Sequence, residues 1–105
     1  MARAARENRL APEQLAGGTF TVNNYGALGV WLGTPIIAPG QVVNFGLGKL
    51  EQRPVVRDGQ IVARPIIPIA VSGDHRVLDG HTLSALVNDA VELMENPLLL
   101  AADLR

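Results

Sequence analysis

The sequence predicts an α+β fold, one sheet with a covering helix, and three observations carry that expectation. Short β-branched runs (Thr19-Phe-Thr-Val22, Val55-Val56, Ile61-Val62, Ile66-Ile67) are bounded by Gly, Pro and Asp. Asp58-Gly59 sits between two of these runs, as a type I′ hairpin turn requires. After Gly80, Leu83, Leu86, Val87, Ala90, Val91 and Met94 recur at helical spacing.

In chain order, Ala2–Leu10 reads as the end of a helix and Pro12–Leu15 as a short turn. Gly17-Gly18 breaks the chain, and Thr19–Val22 follows as a strand. Asn23–Gly40 carries Gly and Pro at short intervals and is expected to be an ordered loop. Gln41–Leu50 reads as a strand, with Gly46 and Gly48 permitting a bulge or a close backbone approach. Val55–Val62 is the hairpin, and Arg64–Gly73 a buried strand. The helix from Gly80 ends at Asn96-Pro97, since Asn tolerates a left-handed cap and Pro cannot continue a helix. Leu98–Leu100 adds about one more turn.

Composition narrows the function classes. With 105 residues there is room for one domain at most. Hydrophobic residues make up 48% and charged residues 18%, which indicates a globular chain. A net charge of -1 without charge blocks gives no footprint for nucleic acid or an anionic membrane. No apolar run is long enough for a membrane span. The absence of cysteine rules out disulfides and thiolate metal sites and fits a reducing compartment. The Arg-containing N-terminus lacks the apolar segment of a secretory signal.

The chemistry concentrates in Ser72-Gly-Asp74-His75-Arg76-Val-Leu-Asp79-Gly80, between a strand and a helix. A histidine there, with carboxylates one residue before and four after, suits a held base whose charge changes near neutral pH. For acyl transfer, a neutral imidazole would take a proton from a thiol or alcohol. The oxyanion would need donors, and Asn23, Asn24 and the Gly-rich loop amides are candidates. Asp74, His75, Asp79 and His81 are a possible metal set, but no His-x-x-x-His pair supports it, and no metal is expected. Ser72 lacks the Gly-x-Ser-x-Gly elbow of a nucleophile. On spacing alone, a capping or hydrogen-bonded histidine and a turn with a helix N-cap at Asp79-Gly80 are the favoured explanation.

Two segments together resemble a known family. Gly17-Gly-Thr-Phe-Thr-Val-Asn23-Asn-Tyr-Gly26, followed by Thr34-Pro-Ile-Ile37, is similar to the first signature of the dihydrolipoamide acyltransferases. These are the E2 components of 2-oxoacid dehydrogenase complexes. Ser72 to Gly80 resembles their catalytic signature, and Glu95 to Leu104 their C-terminal end. The resemblance runs from about Ala4 onward. It implies a chloramphenicol acetyltransferase-like fold, a mixed sheet covered by helices, trimeric when complete. It implies transfer of an acyl group from dihydrolipoamide to coenzyme A, with coenzyme A as substrate and the lipoyl group on a separate domain. His75 would be the general base, Asp79 would stabilise the active-site loop, and Asn23 would donate to the oxyanion where many members have Ser or Thr. Gly40 stands where a second Pro is usual, and His81 where a small residue is common.

The resemblance further implies that residues 1–105 form the C-terminal part of a catalytic domain, with 1–16 a truncated helix and linker. The expected partners are a homotrimer or larger core, the lipoyl domain, and the E1 and E3 components through domains outside this chain. The family's active site lies between subunits. The chain alone is therefore expected to expose apolar surface, to associate, and to work only where another chain completes the site. The rival reading is an assembly piece of the E2 core without catalysis. Bacterial cytoplasm is the expected compartment, with the mitochondrial matrix as the other. The acyl group is not legible.

Overall fold

The computed structural model describes residues 1–103 of the chain. The elements are α1 (Ala2–Arg6), α2 (Pro12–Leu15), β1 (Phe20–Asn24), β2 (Val43–Leu47), β3 (Glu51–Arg57), β4 (Gln60–Ile66), β5 (Ile69–Gly73), α3 (Gly80–Glu95) and α4 (Pro97–Asp103). A 3-10 turn at Gly26–Leu28 follows β1.

Three strands form a mixed sheet in the order β1-β2-β5. β1 and β2 pair in parallel from Phe20↔Val43 to Asn24↔Leu47. β2 and β5 pair antiparallel from Val43↔Gly73 to Leu47↔Ile69. A parallel pair cannot be joined by a tight turn, so residues 25–42 cross over one face of the sheet. α3 covers the other face, where alternation places Phe20, Val22, Phe45, Leu47, Ile69 and Val71. Val43 and Phe45 in the central strand are the buried apolar residues, 3% and 6% exposed. The Phe20 and Phe45 rings lie 6.3 Å apart and tilted, within the favourable range for aromatic pairs.

The crossover face is lined by smaller and more polar residues. Tyr25 and Pro35 lie over Gly46, where a Cβ would come within 2.6 Å of the Tyr25 ring and 2.8 Å of Pro35. Asn44 Nδ2 donates to the Ile36 carbonyl and Ser72 Oγ to the Pro35 carbonyl, both at 2.6 Å. Thr21 Oγ1 donates to Gln41 Oε1. The expected close backbone approach at Gly46 and Gly48 is present: the Trp31 carbonyl fills the space a Gly48 side chain would need.

Several expectations need correction. Among the described residues there are two sheets, not one, because β3 and β4 form a separate two-stranded ribbon. Its turn has positive φ at Asp58 (52°) and Gly59 (75°), matching the type I′ expectation, but its arms reach back to Glu51 and Ile66. The expected strand Arg64–Gly73 is broken at Ile67-Pro68, since proline cannot donate to a ladder. Its first part belongs to the ribbon, and β5 is half-buried throughout. Gln41–Leu50 contracts to Val43–Leu47, and Asn23 and Asn24 lie in β1 rather than in the loop. Pro12–Leu15 is a single helical turn with Pro12 at its start, where proline's missing N–H costs nothing. α1 stops at Arg6.

Asn96 is not left-handed, with φ at -128°. Its backbone and side-chain N–H groups both donate to the Glu92 carbonyl, and Pro97 opens α4. α4 runs to Asp103, longer than one turn, and Leu104 of the C-terminal signature lies outside the described residues. No residue of α3 is fully buried, so its apolar face is only partly covered. Among the described residues no helix is long and apolar enough to cross a membrane.

Candidate active site

β5 delivers the Ser72–Gly80 segment. Pairing continues one step past the strand, because the Asp74 N–H donates to the Val42 carbonyl at 2.8 Å. The chain then turns tightly: the Asp74 carbonyl accepts from the N–H groups of Val77 and Leu78, both at 2.9 Å. The Asp74 carboxylate closes this turn from the side. Its Oδ1 accepts from the Arg76 backbone N–H and Nε at 3.0 Å, and its Oδ2 from Arg76 Nη2 at 2.8 Å. These hydrogen bonds, with the Arg76 charge, hold the Asp74 carboxyl down at about 2. The same pairing raises Arg76 above its already high value. His75 is carried at the exposed tip of this turn.

Asp79 Oδ1 accepts from the Thr82 N–H at 2.7 Å, so Asp79 is the N-cap of α3. This backbone bond holds its carboxyl below the usual range. Neither carboxylate hydrogen-bonds His75 among the described residues; each engages turn or helix backbone instead. The carboxylates expected to hold the imidazole therefore hold the chain on either side of it. His81 lies exposed in the first turn of α3. Among the described residues no three His, Asp or Glu side chains gather as metal ligands. Ser72 Oγ is engaged with the Pro35 carbonyl.

His75 faces an open groove of about 450 Å³. One wall is its own turn, Gly73 to Arg76, and the other is Ile37 to Gln41. The second wall is a reverse turn in which the Gln41 N–H donates to the Ala38 carbonyl at 3.0 Å, with Gly40 at φ 79°. Proline at position 40 could not take that angle, which gives the departure at Gly40 a structural consequence.

Asn23 is not in this groove. It pairs across β2 with Gly46, in the row of Ala70, whereas His75 lies two residues beyond Gly73 at the opposite end of β5. Strand spacings put the two residues on the order of 20 Å apart within one chain. Sequence reasoning missed the polar clamp behind the groove wall, Asn44 and Ser72. The signal was a lone Asn inside Val42-Val-Asn-Phe45, a polar residue in an apolar strand.

The profile of the family described as 2-oxoacid dehydrogenases acyltransferase (catalytic domain) matches residues 1–102. The chain belongs to this family. Among its acyltransferase relatives, the succinyltransferase component of the 2-oxoglutarate dehydrogenase complex from Rickettsia felis is 46% identical over 97 residues. That match covers 92% of this chain and 24% of the relative. The acetyltransferase component of the pyruvate dehydrogenase complex from Staphylococcus epidermidis is 39% identical over 100 residues, covering 95% and 23%. The crystal structure of dihydrolipoamide acetyltransferase (E2p) from Azotobacter vinelandii superposes with a TM-score of 0.82 at 30% identity. The superposition covers 90% of this chain and 39% of that one. The mixed sheet, the crossover and α3 thus belong to an acyltransferase catalytic core, and the chain spans about a quarter of the length of these curated relatives.

Proposed function

We propose that this chain supplies His75 to acyl transfer from dihydrolipoamide to coenzyme A in the E2 core of a 2-oxoacid dehydrogenase complex. The observation that carries this reading is a histidine at the tip of a clamped turn, facing an open groove, with its flanking carboxylates engaged in holding the backbone. In the Azotobacter enzyme a serine, a histidine and an asparagine were studied for their role in the catalytic mechanism. Their separations, 52 and 4 residues, equal those between Asn23 and His75 and between His75 and Asp79. That coincidence supports His75 as base, Asn23 as oxyanion donor and Asp79 as loop stabiliser.

In the proposed step His75 takes the thiol proton of coenzyme A, and the sulfur attacks the carbonyl carbon of the acyl-dihydrolipoamide thioester. The oxyanion of the tetrahedral intermediate accepts a hydrogen bond from a carboxamide N–H. Collapse breaks the bond to the lipoyl sulfur, which leaves as a thiol by taking the proton from His75. Within one chain Asn23 is too distant to serve, so the donor in this reading is Asn23 of the partner subunit. The working form is then a homotrimer or larger core. The lipoyl domain would deliver the acyl group, and the E1 and E3 components would join through other domains. The compartment in this reading is the bacterial cytoplasm.

A second reading is an assembly piece without turnover, favoured by the separation of Asn23 from His75 and by the exposed apolar surface. Coenzyme A-dependent acyl transfer, measured on a sample of determined oligomeric state, separates the two. Turnover in an assembled species that is lost in His75→Ala supports the first reading. Assembly without turnover supports the second.

A further inference from the structure

The far wall of the groove beside His75 is held at its Gln41 end by its own turn bond to Ala38 and by Thr21. Ile37 to Gly40 lies on neither sheet, and its other end enters from Pro35 and Ile36. Two side chains fix them. Ser72 Oγ donates to the Pro35 carbonyl and Asn44 Nδ2 to the Ile36 carbonyl, both at 2.6 Å. Asn44 and Ser72 are register partners on adjacent strands, so they present two donors side by side to two successive carbonyls. Ser72 is also three residues from His75 on the strand that leads into its turn. One strand end thus carries the histidine and, through Ser72, secures the opposite wall.

We infer that Ser72 and Asn44 are positioning residues for the transfer, setting the width of the groove in which a thiol substrate meets His75. This rests on the reading of His75 as the base. A reacting group misplaced by about 1 Å loses much of its rate, so a loosened wall should weaken substrate positioning without disturbing the base. Asn44 separates this role from a purely structural one. It is 6% exposed, and its Oδ1 has no hydrogen-bond partner among the described residues. Replacing it with leucine removes the unpaired acceptor together with the donor to Ile36, which limits the net cost of losing that bond. The Ile36 carbonyl loses its donor, but the residue that carries it is 85% exposed.

The test compares Ser72→Ala, Ser72→Thr, Asn44→Leu and His75→Ala in the full chain, with two readouts beside a thermal-stability control. The first is hydrogen exchange of the Gln41 amide, which reports the wall turn whether or not the sample turns over. The second is steady-state transfer from acetyl-dihydrolipoamide to coenzyme A. Ser72→Ala and Asn44→Leu should speed exchange at Gln41. They should raise KM for coenzyme A, for acetyl-dihydrolipoamide or for both about fivefold, the scale of one neutral hydrogen bond. Asn44→Leu should do so without loss of thermal stability, and Ser72→Thr, which keeps the hydroxyl, should restore parental behaviour. Unchanged exchange in both variants overturns the inference, as does faster exchange with both KM values unmoved. Turnover surviving in His75→Ala removes the reading of His75 and leaves the exchange result to stand for the clamp alone.

Discussion

His75 lies between two aspartates that make no bond to it, and this arrangement can be tested one atom at a time. Asp74 carries the heavier task. Its side chain is only 16% exposed and grips Arg76, whose own side chain is 89% exposed. The pairing puts the Asp74 titration at about 2 instead of 3.8. A carboxyl depressed in the folded state stabilises it above the unfolded value. That contribution is lost as pH falls from about 4 towards 2. Carboxyl NMR of Arg76→Gln should show the Asp74 midpoint returning towards its ordinary value; an unmoved midpoint would remove Arg76 as the cause. His75→Ala should lower transfer by about 10² to 10⁴, the usual range for a general base, with an unchanged circular dichroism spectrum. The nine residues from Ser72 to Gly80 made this turn legible from the sequence, because a strand, a histidine and a capping Asp-Gly occur in order. The destination of each carboxylate was not legible. Asp74 could equally have reached the imidazole, and only the turn geometry brings Arg76, two residues on, into its grip.

Elements pack closely where glycines permit it. Gly46 lies beneath Tyr25 and Pro35, and Gly73 beneath Leu83 of α3, whose side chain lies 2.9 Å from the place of a Cβ. Gly46→Ala should destabilise the protein by about 1 to 3 kcal/mol, as overpacking does. A urea midpoint equal to the parent's would show that the crossover yields freely. The hairpin turn and α3 were legible because Asp58-Gly59 and a six-position apolar stripe are strong local signals. The division into two sheets was not. Alternation along Glu51–Arg57 and Gln60–Ile66 describes a strand but not its neighbours, and the effect of Pro68 depends on whether its position lies inside a ladder. The crossover was legible as an ordered loop, yet the parallel pairing it serves is a long-range relation that no local pattern encodes.

The whole molecule is open. Its radius of gyration is 16.6 Å, against about 13 Å for a compact domain of this size. Val22 on the helix-covered face is 64% exposed and Ile61 on the ribbon 78%. Surface of this kind drives association. Sedimentation velocity of the purified chain should show concentration-dependent oligomers, and Val22→Lys with Ile61→Lys should shift the distribution towards monomer. A parent chain that stays monomeric at high concentration would contradict this reading of the surface. The need for covering surface was legible only through the family resemblance, since composition alone describes an ordinary globular chain.

The ribbon also bears on the order in which the chain can assemble. β2 leads into β3, and β4 into β5, so the pair Leu47↔Ile69 lies just below the pair Glu51↔Ile66. A hairpin nucleated at Asp58-Gly59 closes in about 1 to 10 μs. Once zipped, it brings the ends of β2 and β5 together and removes most of the loop-closure entropy from their pairing. β1 gains nothing from this route, because its parallel partner lies beyond the whole crossover, and pairings of that range form slowly. A weakened turn should therefore appear in the refolding rate more than in the unfolding rate. Gly59→Val, followed by stopped-flow mixing, should slow the folding limb and leave the unfolding limb nearly in place. The reverse pattern would mean that the ribbon forms last.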